Sequence, residues 1–334
     1  MIKARFYESR PNYGVQCHLC PHECRIAAGE RGECAVRRNI DGTLYSENYG
    51  LVSSVHVDPV EKKPLYHFHP GSRILSLGSI GCNLHCNFCQ NCEISQTTVD
   101  DYRFAQLRSP EYIADLAAGT AESIGLAFTY NEPVVYYEFM VDTARICREK
   151  GLKTAMITNG YVLQEPLETL FPLIDAFNVD LKSFSEQFYK TVAGGHLRYV
   201  KENLLRIKKS GCHLEVTNLL IPSLNDDLRQ FREMVRWIAR ELGRDTVLHI
   251  SRYFPAYKST VQKTSLNLLF NFYREASEHL AYVYLGNVTG SESQNTICSN
   301  CGKMVMSRFG YFVQCGGLDA MGNCRYCGHK IAVV

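Results

Sequence analysis

Residues Gly81-Cys82-Asn83-Leu84-His85-Cys86-Asn87-Phe88-Cys89 set three thiols in a C-x3-C-x2-C loop directly after an apolar, strand-like run at 74–77. Three close thiolates can hold three irons of a [4Fe–4S] cluster, whereas most such clusters take a fourth Cys. The loop therefore predicts one iron left open to a ligand that is not protein. Thiols that merely fill a core have no need of this spacing.

Working outward, short apolar runs at 74–77, 125–129, 153–158, 176–180, 213–220, 247–251 and 282–285 alternate with amphipathic, helix-like segments. That alternation predicts an α/β fold with a mostly parallel sheet built from βα units. Each run ends in polar or unusual residues, among them Tyr130-Asn131-Glu132-Pro133, Asn159-Gly160, Leu181-Lys182 and Gly286-Asn287. In a β/α barrel the strand C-termini form the catalytic face, so residues distant in sequence would meet at one site.

Beyond the loop, Cys17-His18-Leu19-Cys20-Pro21, Gly29-x-Arg31-Gly32-x-Cys34, Cys89-Gln90-Asn91 with Ile94-Ser95-Gln96, Thr129-Tyr130-Asn131-Glu132-Pro133, Asn178-Val179-Asp180-Leu181-Lys182 and Tyr284-Leu285-Gly286-Asn287 carry a resemblance over nearly the whole chain. The sequence resembles the radical SAM component of the AmmeMemoRadiSam system, a group similar to the pyruvate formate-lyase activating enzymes. The resemblance implies a partial (β/α)6 TIM-barrel radical SAM core, a site-differentiated [4Fe–4S] cluster on Cys82, Cys86 and Cys89, and bound S-adenosylmethionine. It implies that Asn131 and Glu132 face the cofactor's methionyl amine, and that Asp180 and Lys182 lie near its ribose and carboxylate. Thr158, Asn159, Thr217 and His249 are further candidates for the cofactor pocket, with ordinary packing as the alternative. One position departs from the family, which commonly has Trp where Cys92 stands here. Cys92 is either a fourth ligand, which would close the open iron, or a buried thiol near the cluster.

Two more cysteine groups flank the core, dividing the chain into a Cys-rich N-terminal segment (1–60), the core (61–290) and a C-terminal tail (291–334). Cys298, Cys301, Cys324 and Cys327 form two paired-thiol knuckles that resemble a zinc ribbon and would complete a tetrahedron around a structural zinc. An auxiliary iron–sulfur cluster is the competing reading there, with Cys315 as a spare ligand. As four thiols, they would make the tail a separable metal-folded unit. Cys17, Cys20, Cys24 and Cys34 match no single metal template and read as a zinc site, a second cluster or unligated thiols. Cys147 and Cys212 fall inside regular patterns and read as core.

At 334 residues and 46% hydrophobic, the chain can fill a sizeable core. No apolar stretch approaches a membrane span and Met1 to Phe6 lack a signal-like apolar core, which reads as a cytoplasmic protein without a membrane partner. Fifteen Cys then argue for metal ligation rather than disulfides. A formal charge of +2 gives no case for nucleic acid. Arg229, Arg232, Arg236 and Arg240 on a helix-like stretch at 226–242 read as a solvated face rather than an RNA stripe. The expected function is reductive cleavage of S-adenosylmethionine, fed by a ferredoxin- or flavodoxin-like donor, with hydrogen abstraction from a protein or peptide partner. Modification of a tRNA nucleoside or small metabolite, and a non-catalytic metal-binding scaffold, are the other two readings.

Overall fold

The computed structural model describes residues 1–288, 290 and 292–334. The expected core-to-tail boundary falls at Ser291, outside the described residues. All seven apolar runs form strands: β2 (Arg73–Gly78), β3 (Ser123–Phe128), β4 (Lys153–Thr158), β5 (Ala176–Asp180), β6 (His213–Leu220), β7 (Val247–Arg252) and β8 (Val283–Gly286). They pair in parallel and in sequence order. Their residues are buried on both faces, which is why they read as continuous apolar runs rather than as alternation. The sheet is open, and its first edge is closed by β1 (Ser54–Pro59), antiparallel to β2. Sequence reasoning missed β1, whose burial is patchy and whose last residue is Pro.

Helices cover the outer face: α1 (Pro110–Gly119), α2 (Tyr137–Glu149), α3 (Gln164–Glu168), α4 (Leu197–Ser210), α5 (Leu228–Trp237) and α6 (Leu266–Ser277). Local chemistry sets their ends. The Asp227 carboxylate accepts from the N–H groups of Arg229 and Gln230 to start α5, and Gly211, at φ +84°, stops α4. On α5, Phe231, Met234, Val235 and Trp237 are buried, while Arg232 turns outward to pair with Glu275 of α6. The arginine face is a solvated surface.

The N-terminal segment is more ordered than its Gly- and Pro-rich sequence suggests. Val15–Cys17 pairs between Tyr7–Ser9 and Arg25–Ile26, and Thr43–Ser46 pairs between Ile2–Lys3 and Arg37–Ile40. It lies against the cluster loop, where His22 Nε2 meets the Asn83 carbonyl at 2.7 Å.

The tail holds β9 (Thr296–Ile297), β10 (Met304–Phe309) and β11 (Phe312–Gln314) and packs on the core. Its Cys298, Val305, Met306 and Ile331 share one apolar cluster with Tyr66, Val247, Tyr282 and Tyr284 of the core. Arg308, 5% exposed, lies over the rings of Tyr66 and Tyr284 and donates to the Tyr66 carbonyl at 2.8 Å. Val333 exchanges backbone hydrogen bonds with His67 and His69. These contacts pack the tail against the core over a shared apolar cluster.

Candidate functional site

The loop after β2 is shaped by its backbone partners. Gly81 sits at φ +90°, and a Cβ there would come within 2.7 Å of the Cys34 carbonyl, so only glycine fits. Asn131, in the turn after β3, accepts from the Ser79 N–H at 2.9 Å and donates to the Gly81 carbonyl at 2.8 Å. Both ends of the amide thus help to hold the loop, and each keeps one further hydrogen-bonding position.

Cys82, Cys86 and Cys89 line a cavity of about 570 Å³ at the C-terminal ends of the strands, together with Asn131, Glu132, Thr158, Asn159, Asp180 and Lys182. Its size suits a cofactor of nucleoside dimensions. Burial, then the neighbouring Glu132, pushes the Cys82 thiol well up. Burial likewise raises Cys86 to about 11, although Lys182 opposes the shift. Such thiols shed their protons only in exchange for another cation, which is what iron supplies. Cys92 opens the short helix Cys92–Ser95 outside this cavity, while Cys89 Sγ meets Ser95 Oγ at 3.1 Å. Among the described residues three thiols therefore face the space, the donor set a site-differentiated cluster requires. Cys92→Ala is expected to retain wild-type iron after anaerobic reconstitution; loss of the cluster would make Cys92 a ligand.

Glu132 is buried. Its Oε1 accepts from Val134 N at 3.0 Å and Thr158 Oγ1 at 2.8 Å, and its Oε2 from Asn159 N at 2.7 Å. Burial outweighs these donors and lifts its pKa to about 7. Asn159 Nδ2 donates to Asn83 Oδ1 at 2.9 Å and lies 3.8 Å from Cys82 Sγ, tying β4 to the loop. Lys182 Nζ pairs with Asp180 Oδ2 at 2.8 Å. Burial alone would lower this lysine, but Asp180 and Cys86 hold its pKa above the usual lysine value.

Two expected pocket residues lie elsewhere. Thr217 donates to Asn178 Oδ1 at 2.9 Å within the sheet and does not line this cavity. His249 donates to or accepts from Glu215 at 2.6 Å and lines a neighbouring cavity of about 470 Å³. Both sit three residues short of their strand ends, roughly 10 Å deeper in the barrel. Sequence reasoning missed Lys62, Lys63, Gln90 and Tyr311, which also wall the cluster cavity. Lys63 is buried against Asp58 at 2.6 Å and over the Tyr130 ring, and Tyr311 comes from the tail. A buried lysine in the run Glu61-Lys62-Lys63 leaves no local signal, because such a run ordinarily faces solvent.

The C-terminal Cys298, Cys301, Cys324 and Cys327 bring all four sulfurs within 4.8 Å of one another. Cys315 stands apart, its Sγ 3.8 Å from the Pro70 carbonyl.

A sequence model of the Radical SAM superfamily matches residues 77–238. An uncharacterized protein of Methanocaldococcus jannaschii is 43% identical over 337 aligned residues, spanning all of both chains. The pyruvate formate-lyase-activating enzyme of Clostridium pasteurianum is 25% identical over 47% of this chain and 66% of that enzyme. Among solved structures, a radical SAM methyltransferase from Sphaerobacter thermophilus aligns with a TM-score of 0.52 at 15% identity, covering 71% of each chain; this likeness concerns the fold. With a three-thiol loop at the mouth of a parallel sheet and these relatives, the chain carries a radical SAM domain, is homologous to the pyruvate formate-lyase-activating enzymes and is an enzyme.

Proposed function

We propose that the chain is the radical SAM component of an AmmeMemoRadiSam-type system, acting in the cytoplasm on a protein or peptide partner. The observation that carries this reading is the meeting of three cluster thiols and the polar ends of three neighbouring strands in one cavity. Cys82, Cys86 and Cys89 would hold a [4Fe–4S] cluster, leaving S-adenosylmethionine to complete the open iron. When bound, that pair supplies one-electron reductive cleavage to a 5′-deoxyadenosyl radical, which abstracts hydrogen from the substrate. Glu132 keeps an acceptor position for the cofactor's ammonium, since three donors leave one of a carboxylate's roughly four lone-pair sites free. Lys182, held charged by Asp180, suits the cofactor's carboxylate. Asn131 and Asn159 fix the loop, and the buried walls exclude water. A ferredoxin- or flavodoxin-like donor would supply the electron.

The protein-substrate part rests on homology to an activating enzyme whose name gives another enzyme as its target. The test is anaerobic reconstitution followed by assay of 5′-deoxyadenosine with low-potential reductant and candidate partners added one at a time. A protein that stimulates its formation and loses one hydrogen supports the reading. Stimulation by tRNA or a small metabolite instead would overturn the substrate class, and no cleavage under any condition would leave a scaffold.

The C-terminal thiols would bind zinc, because four sulfurs about 2.3 Å from one ion must crowd to roughly 3.8 Å from each other, and Cys298–Cys327 and Cys301–Cys324 stand at 3.6 and 3.7 Å. Elemental analysis should find zinc that is lost in Cys324→Ala/Cys327→Ala. Iron with a visible charge-transfer band in that position would make it an auxiliary cluster.

A further inference from the structure

The four N-terminal cysteines converge. Cys17, Cys20, Cys24 and Cys34 line one pocket, and with them Arg37 and Asn83. Arg37 is 1% exposed. Its Nη2 donates to the Arg5 carbonyl at 2.9 Å and to Glu138 Oε1 at 2.6 Å, while Nε and Nη1 have no partner. A buried guanidinium with two unpaired donors is costly unless something in the pocket accepts from it. Cys17 and Cys34 line the same pocket as this guanidinium. Neutral thiols are poor acceptors, so the donors point to a pocket meant to carry negative charge.

The spread of the thiols separates the candidate metals. Among the described residues, the C-terminal thiols are the cysteine set drawn within 4.8 Å of one another; the N-terminal four, like Cys82, Cys86 and Cys89, are not. Sulfurs held about 2.3 Å from a single ion stand roughly 3.8 Å apart, so a set not drawn that close suits a body larger than one ion. We propose that Cys17, Cys20, Cys24 and Cys34 hold a coordinatively closed second [4Fe–4S] cluster whose sulfurs accept the free N–H groups of Arg37.

Its place implies its use. Asn83 lies between Cys82 and Cys86 in the catalytic loop and also lines this pocket, and the Cys34 carbonyl packs on Gly81. The second cluster would accept one electron from a low-potential iron–sulfur or flavin donor and pass one to the catalytic cluster, with no bond made or broken. This electron-transfer part rests on the function proposed above; the cluster itself does not.

The test uses the full chain, reconstituted anaerobically. Cys82→Ala/Cys86→Ala/Cys89→Ala should still bind about four irons and about four sulfides, with a reduced resonance signal that ignores added S-adenosylmethionine, because every iron is already ligated. In that background Arg37→Gln should keep the iron and shift the midpoint potential downward, since N–H donors to cluster sulfur favour the reduced form. Conversely, Cys17→Ala/Cys20→Ala should lower total iron from about eight to about four while the remaining signal still responds to S-adenosylmethionine. A triple variant without iron, or with zinc in its place, overturns the cluster whatever becomes of the catalytic reading. An unchanged potential in Arg37→Gln overturns the role given to the arginine. Because the triple variant leaves the N-terminal segment intact, misfolding of the Cys17 and Cys20 variant does not decide the question.

Discussion

Replacing Glu132 by Ala is expected to weaken S-adenosylmethionine binding by roughly 10- to 100-fold, the scale of about 1.5–3 kcal/mol for hydrogen bonds to a charged group. The carboxylate holds Thr158 Oγ1 and the N–H groups of Val134 and Asn159, and one acceptor position remains toward the cavity. The substitution removes that position and also frees the start of the segment after β4, whose Asn159 steadies Asn83 in the cluster loop. Gln is not a mild replacement. Its amide would set an N–H donor against one of the donors that Glu132 satisfies, leaving both unpaired in a buried site. Equilibrium titration of reconstituted protein, with iron content measured on the same sample, separates the effects: low affinity at full iron is the expected outcome. Wild-type affinity at full iron would return Glu132 to a purely structural role, and loss of iron would make it a support of the cluster loop alone.

The sequence made the catalytic face readable because parallel strands buried on both sides appear as unbroken apolar runs, and the residues just past their ends are those that meet. Glu132, Asn159, Asp180 and Lys182 all lie at or just past strand ends, and all reach the cluster cavity. Thr217 and His249 carry suitable chemistry but lie inside strands, where alternation and depth decide what a side chain reaches. The seam between core and tail was illegible for another reason. Arg308 reaches the Tyr66 carbonyl across 242 residues, and His67 meets the Ile331 carbonyl across 264, so no local pattern announces either contact. The knuckle spacing announced that four sulfurs would meet, as they do within 4.8 Å of one another, yet said nothing of the tyrosines of the core that cover them. Local spacing reports ligands; it does not report what the ligated segment leans on.

At that seam, Glu215→Ala is expected to cost about 3–5 kcal/mol, the range for breaking a buried ion pair or network by removing one partner. Glu215 is fully buried, and accepts from the N–H groups of Tyr66 at 3.0 Å and His67 at 2.7 Å. His213 and His249 reach its two oxygens at 2.9 and 2.6 Å. Burial alone would raise its pKa, but the two histidines hold it well below the ordinary glutamate value of 4.5. A depressed carboxyl contributes stability that is present above pH 4.5 and is lost as pH falls below it, so the wild type should lose this contribution on acidification while the Ala variant, having none, should show a flatter acid limb. Four polar groups would be left without their acceptor, and the chain that carries Tyr66 and His67 is the one on which the tail rests through Arg308, Ile331 and Val333. For a chain of 334 residues the loss corresponds to a melting temperature lower by roughly 4–7 °C. Tail residues should also become more open to limited proteolysis, since they share their core with this segment. Calorimetry on the full-length protein checks the first effect and mass spectrometry of early cleavage products the second. A melting temperature unchanged in Glu215→Ala would mean that the histidines and backbone donors find other acceptors, and that the tail is held by its apolar contacts alone.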